Sequence, residues 1–182
     1  MTTTATPDLN VKQTAAAMRR ALREDFPGTR FSVRMDAGTA HGWITVKWQD
    51  GPSDEQVEAI VTPFQSAYFD TSDDGYRSIP QDGPVRYSCR GIHLQRSMTA
   101  RSAALVAERI NSEEPSRPAR VEESRVETSH VVGGALSEEA ATRLQVVGYG
   151  TNEHGEATVD VDLAAHQIFT RTVFAANSPA NR

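Results

Sequence analysis

The chain has one cysteine, two lysines and no long apolar run, and each shortage closes off a class of explanation. A lone Cys89 excludes an internal disulfide framework and a cysteine-based zinc site. No hydrophobic stretch approaches the roughly 18–20 apolar residues that span a bilayer. The opening Met1-Thr-Thr-Thr-Ala-Thr-Pro7 is polar and uncharged, unlike a secretory leader. A cytoplasmic protein with no membrane partner is the expectation. Apolar residues make up 38% of the 182, so the core is modest and long segments face water.

An excess of positive charge is also missing. The formal charge is −5, and residues 1–95 hold 10 Lys+Arg against 12 Asp+Glu while residues 96–182 hold 9 against 12. Neither half is a basic module, so a broad electrostatic grip on nucleic acid is excluded, though a local basic face is not. Of the 19 basic residues 17 are Arg. Coding bias towards GC-rich codons accounts for this most simply; the functional alternative is bidentate recognition of phosphate or carboxylate.

What is present is best organised between residues 10 and 70. Asn10 and Gln13 form a capping-box start, and Val11, Ala15, Met18 and Leu22 make one helical stripe opposite Arg19, Arg20 and Arg23. Phe26-Pro27-Gly28 ends that helix. Phe31, Val33 and Met35 then alternate with polar residues, as do Ile44, Val46 and Trp48, with turn formers between them, which predicts an antiparallel hairpin. Asp50-Gly51-Pro52 stops the second strand, and Ser53 with Gln56 opens a second helix that buries Val57, Ile60, Val61, Phe64 and Tyr68. Pro63 should kink or break it early. A third strand is expected over about 85–94, placing Tyr87, Cys89 and His93 on one face, and a third helix begins at Ser97 or Thr99.

The predicted fold class is α+β: a small, mainly antiparallel three-stranded sheet packed on helices in the order α-β-β-α-β-α, with a C-terminal α/β extension. The expected divisions are a disordered lead (1–9), the α+β domain (10–110), a flexible linker (111–128), an extension with a short helix at Ser137–Leu144 and a hairpin of Val146–Tyr149 with Ala157–Leu163 (129–175), and a loose tail (176–182).

Candidate chemistry is sparse. Asp70-x-Ser72-x-Asp74-Gly75 matches the opening of a calcium loop, but Gln81 stands where a bidentate Glu belongs, and an acidic turn that caps its own backbone is the favoured reading. Asp160-x-Asp162-x-x-x-His166 offers three ligand types; alternating Asp on a solvated strand is the plainer account. Cys89 with His93 and His41 makes a nucleophile and base on paper, but a thiol sharing a face with Tyr87 reads as buried and inert. There is no GxSxG, P-loop or GxGxxG, so no catalytic residue is assigned and no cofactor is expected. A polar binding face fits better, formed by Arg19, Arg20, Arg23, Arg30 and Arg34, by Arg86 and Arg90, and by Trp43 as anchor if its side of the sheet is open.

Phe26-Pro27-Gly28-x-x-Phe31-Ser32-Val33-Arg34, Trp48-x-Asp50-Gly51-Pro52, Val57-x-x-Ile60 with Phe64-Gln65, and Phe69-Asp70 with Asp74-x-Tyr76 together resemble the large polyvalent protein-associated domain 29, over about residues 10–95. That resemblance implies an accessory module of phages and conjugative elements, found in large multidomain proteins and as small stand-alone ones, with no catalytic residues to carry over. The leading expectation is therefore a non-enzymatic module that binds a host or element macromolecule. Sequence-independent nucleic-acid binding through the same arginines is the alternative. The rival class is a metal-dependent enzyme using Asp160, Asp162 and His166 or the Asp70–Asp74 loop.

Overall fold

The computed structural model describes residues 6–116, 118–123, 129–148, 150–151 and 157–174. They divide into two compact units. The first holds residues 6–48 and 54–95, and the second holds Gln49–Ser53 with residues from Arg96 onward.

The first unit opens with α1 (Val11–Asp25). The Asn10 side chain accepts from the Gln13 amide at 3.0 Å and the Gln13 side chain accepts from the Asn10 amide at 2.9 Å, which satisfies two of the donors a helix start leaves over. Ala15, Met18 and Leu22 are buried along one stripe, as the spacing predicts. β1 (Ser32–Met35) pairs antiparallel with β2 (Trp43–Gln49), Val33 opposite Val46 and Met35 opposite Ile44. α2 (Asp54–Val61) follows, and Pro63 stops it: with no N–H to donate, the chain tightens into a 3-10 turn at Thr62–Phe64. The hairpin of β3 (Ala67–Asp70) and β4 (Gly75–Ser78) comes next, then β5 (Gly91–Ser97), which completes a sheet in the order β1-β2-β5. Met18, Leu22, Ile44, Val46 and Val57 are fully buried between the helices and one sheet face. Each such side chain contributes about 1.5–3 kcal/mol on leaving water.

Several expectations for this region need correction. Tyr68 is exposed on β3 instead of buried on a helix, and Met35, at the end of its strand, is exposed too. The third strand starts at Gly91, not 85, because residues 86–89 spend their backbone groups elsewhere. Gln81 binds both the amide and the carbonyl of Tyr87, Ser88 N–H donates to Thr14 Oγ1, and Cys89 N–H donates to Ser66 Oγ. Nothing is left for a ladder there. Residues 7–9 of the expected disordered lead are tied down, since Arg86 N–H donates to Pro7 O and Leu9 N–H to Arg86 O. Residues 1–5 lie outside the described ones.

The second unit is built on α3 (Ala100–Glu113), capped by Thr99 through the Ser102 amide. β6 (Arg120–Glu123) pairs with β7 (Ser129–Val132), Val121 opposite Val131. α4 (Glu138–Leu144) is capped by Ser137, as predicted. The two-residue strands β8 (Gly150–Thr151) and β9 (Ala157–Thr158) pair, and α5 (Val161–Arg171) ends the described chain's regular structure. Its core gathers Ala103, Ala107, Ala140, Ala164 and Ala165 with Val106, Ile110, Val161 and Phe169. Alanines on three helices allow close helix approach.

Two polar devices lock this unit. Asp50, buried at φ 50°, accepts from Thr99 N–H (3.0 Å), Thr99 Oγ1 (2.6 Å) and Ser102 Oγ (2.5 Å). Arg96 donates to the carbonyls of Asp50, Gly51, Phe169 and Thr172, with its guanidinium 4.2 Å from the Phe169 ring centroid. The sequence reading treated Asp50 only as a strand stop and passed over Arg96.

The expected linker at 111–128 is also corrected. α3 runs to Glu113, Asn111 pins Ala119 through both its amide groups, and residues 120–123 form β6. Residues 117 and 124–128 lie outside the described ones. The third helix groups with the second unit, not with the first domain. The strand expected to reach Leu163 gives way after Thr158 to a helix, since Val161, Ala164, Ala165, Ile168 and Phe169 recur at helical spacing. Tyr149, the turn at 152–156 and the tail at 176–182 lie outside the described residues. Among those described, no helix is long and apolar enough to cross a membrane.

Candidate functional site

Strand alternation sends Val33, Ile44, Val46, Ile92 and Leu94 into the first unit's core and leaves Arg34, Trp43, Lys47 and His93 on the other face of the sheet. Trp43 is half-buried there. A Cβ added at Gly91 would stand 2.4 Å from the indole, so the ring lies flat against that backbone and only glycine permits it. The His93 imidazole packs on the indole at 4.4 Å between ring centroids. Beside them Thr45 Oγ1 donates to both oxygens of Asp36, and Asp36 stands 3.7 Å from His93 Nδ1. That separation suits an ion pair with protonated His93 but exceeds the hydrogen bond that would orient a general base.

A second group of rings lies outside the three-stranded sheet. The Arg90 side chain runs against Gly42, its Cδ 3.1 Å from where a Cβ would be, and its guanidinium lies 5.5 Å from the Tyr76 ring centroid. Tyr76 in turn meets Phe69 edge-on at 5.3 Å, and both are nearly half exposed, at 45% and 46%. Two groups result: the Trp43–His93 pair, and one guanidinium, Arg90, with the Tyr76 and Phe69 rings. Such groups can stack planar ligands and pair anions.

The predicted arginine face is not assembled as expected. Arg19 is half-buried and donates to Val33 O at 2.7 Å, which ties α1 to β1. Arg20 and Arg23 stay exposed on α1, which packs on β1, and Arg30 is exposed ahead of that strand. Arg86 sits 3.9 Å from Asp8. Of the set, Arg34 and Trp43 share a sheet face, and Arg90 joins the Tyr76 ring. Sequence reading missed Asp36, Thr45 and Tyr76, and it placed His93 with Cys89 rather than with Trp43. The signal lay in the glycines at 42 and 91, each of which makes room for a large neighbour.

The other candidates separate. Asp70 accepts from the Ser72 hydroxyl and amide and pairs with Arg77, an arrangement that holds its carboxyl below the ordinary carboxylate range and matches a self-capping turn. Asp160 stands at the N-cap of α5 with Asp162 in its first turn and His166 one turn further, all exposed. Among the described residues no three His, Cys, Asp or Glu side chains converge to hold a metal ion. Cys89 is buried, and that burial raises its thiol from 9.0 to about 11, so the bland reading of this cysteine stands.

Residues 9–102, a little over half of the chain, match the family model of the large polyvalent protein associated domain 29. The chain belongs to that family. The domain 29 match takes in β1, β2 with Trp43, the β3–β4 hairpin and β5, and it ends inside the first turn of α3. No curated protein and no solved structure matches the chain.

Proposed function

We propose that this member of the domain 29 family is a non-enzymatic accessory binding module of mobile-element origin, working in the cytoplasm, and that it holds a macromolecular partner on the ring-and-guanidinium side of its first unit. The Arg90–Tyr76–Phe69 cluster, together with the Trp43–His93 pair, carries the reading. Exposed aromatic and arginine side chains are the usual anchors of binding surfaces, and Arg90, Tyr76 and Phe69 adjoin one another. Rings with a guanidinium against them favour single-stranded nucleic acid as the partner over a protein, because bases stack on rings while Arg90 meets a backbone phosphate.

Trp43 fluorescence titrated with a single-stranded oligonucleotide tests this. Saturable quenching that weakens by about tenfold between low and physiological salt is expected. A Trp48-only variant (Trp43→Phe) with Arg90→Glu should lose the binding in a gel shift. Retained binding by that variant removes this face. Absence of any shift at low salt eliminates nucleic acid and leaves a protein partner, to be sought by lysate capture compared between the wild type and Arg90→Glu.

A further inference from the structure

In the second unit, α3, the C-terminal half of α5 and the segment 172–174 enclose a groove of about 310 Å³, near the lower end for ligand sites. Its floor joins apolar Val106, Ile168 and Phe174 to the buried Asp50 and Ser102. Its rim is apolar and unusually open: Leu105 is 49% exposed and Val173 58%. Arg101 and Arg109 line the same groove, one helical step on either side of Leu105. Residues at i, i+4 and i+8 share a helix face, so two guanidinium groups bracket one apolar site. Neither makes an ion pair or side-chain hydrogen bond among the described residues, whereas Arg77, Arg96 and Arg143 all do. The nearby carboxylate Glu108 is not part of the lining; Asp50 is, and its oxygens are taken by Thr99 and Ser102.

We infer that this groove docks an extended acidic peptide of a partner protein, with one large apolar side chain in the cavity and a carboxylate on each side of it. Two unpaired cations at the ends call for an anion at each end, which a single-headed amphiphile does not supply. Eight residues of helix separate the arginines by about 12 Å. In an extended strand, residues i and i+4 are about 13 Å apart, and i, i+2 and i+4 point to one side. The pattern acid-x-apolar-x-acid therefore meets Arg101, the cavity and Arg109 together. The open rim means the occupant is larger than the cavity, as a peptide with a buried anchor is. This inference concerns the second unit and stands apart from the proposed function above.

The probe is a fluorescein-labelled peptide with the core Glu-Ala-Phe-Ala-Glu, followed by polarisation on the full chain. Saturable binding is expected, weakened about tenfold or more by Arg101→Glu with Arg109→Glu, and similarly by replacing the peptide's Phe with Ser. Arg101 and Arg109 are both exposed, so these variants should keep the wild-type circular dichroism; Arg101→Gln with Arg109→Gln, free of charge reversal, serves as the second pair. No saturable binding, equal binding of a Lys-Ala-Phe-Ala-Lys peptide, or full affinity in both arginine pairs would overturn the inference. So would a Leu105-dependent dimer in sedimentation, since that outcome names a different occupant.

Discussion

In the first unit the buried side chains alternate with polar ones along two strands and one helix, each pattern complete within a few residues. In the second unit small and large apolar side chains of three helices and the segments between them are joined by Asp50 and Arg96, whose hydrogen bonds link residues 45 to 76 positions apart. The first core is built from volume and periodicity. The second adds buried polar contacts between residues far apart in sequence, each of which must be satisfied. The lesson is that two cores in one chain can fail in different ways: one through cavities, the other through unpaired polar groups.

The largest expected effect breaks the first core. Leu22→Ala should cost about 3 kcal/mol, since the site is fully enclosed and leaves a cavity. Both tryptophans lie in the first unit, so intrinsic fluorescence during urea unfolding reads it directly. A loss well under about 1 kcal/mol would mean that this core is loosely packed.

Next comes the polar lock. Asp50→Ala should cost about 2 kcal/mol by stranding the Thr99 amide and two hydroxyls. Amide exchange should accelerate in the first turn of α3. Unchanged exchange there would show that the cap holds without Asp50.

A third comparison uses pH. Burial raises the Cys89 thiol from 9.0 to about 11, with the Asp36 charge adding to it. The folded chain thus binds the proton more tightly than the unfolded one. Its contribution is complete below pH 9, is lost as pH climbs from 9 to 11, and is constant beyond. Wild-type stability should fall by about 1–2 kcal/mol across that window relative to Cys89→Ala. Parallel urea midpoints for the two proteins from pH 8 to 11 would contradict the burial of the thiol.

The smallest effect is local. Asn10→Ala removes one half of the capping box and should cost about 1 kcal/mol. Asn10→Ser, which keeps an acceptor, should restore most of it; thermal unfolding distinguishes the two.

The parts of the first unit that were legible are those where neighbours in sequence are neighbours in space. The α1 stripe, its capping box, the β1–β2 register and the break at Pro63 all follow from spacing within a dozen or so residues. The β3–β4 hairpin was missed because Phe64 and Tyr68 continue the helical spacing of α2, and only the proline's missing N–H ends it. β6 was missed because all four of its residues are exposed, so no alternation marks them. Asp50 resembled any strand-ending Asp-Gly. At the candidate site Trp43, Arg34 and Arg90 were visible as residue types, but their company was not.

Amino-acid order alone settled the family, the α+β class, the helix caps and which face of the first hairpin is oily, since these rest on local sterics and period. Three-dimensional packing decided that His93 stacks on Trp43, that Arg19 is spent on a carbonyl, that Asp50 and Arg96 close the second unit, and that Arg101 and Arg109 flank a groove. Those outcomes depend on long-range partners, and a polar side chain's role is set by whichever group folding brings within hydrogen-bonding reach.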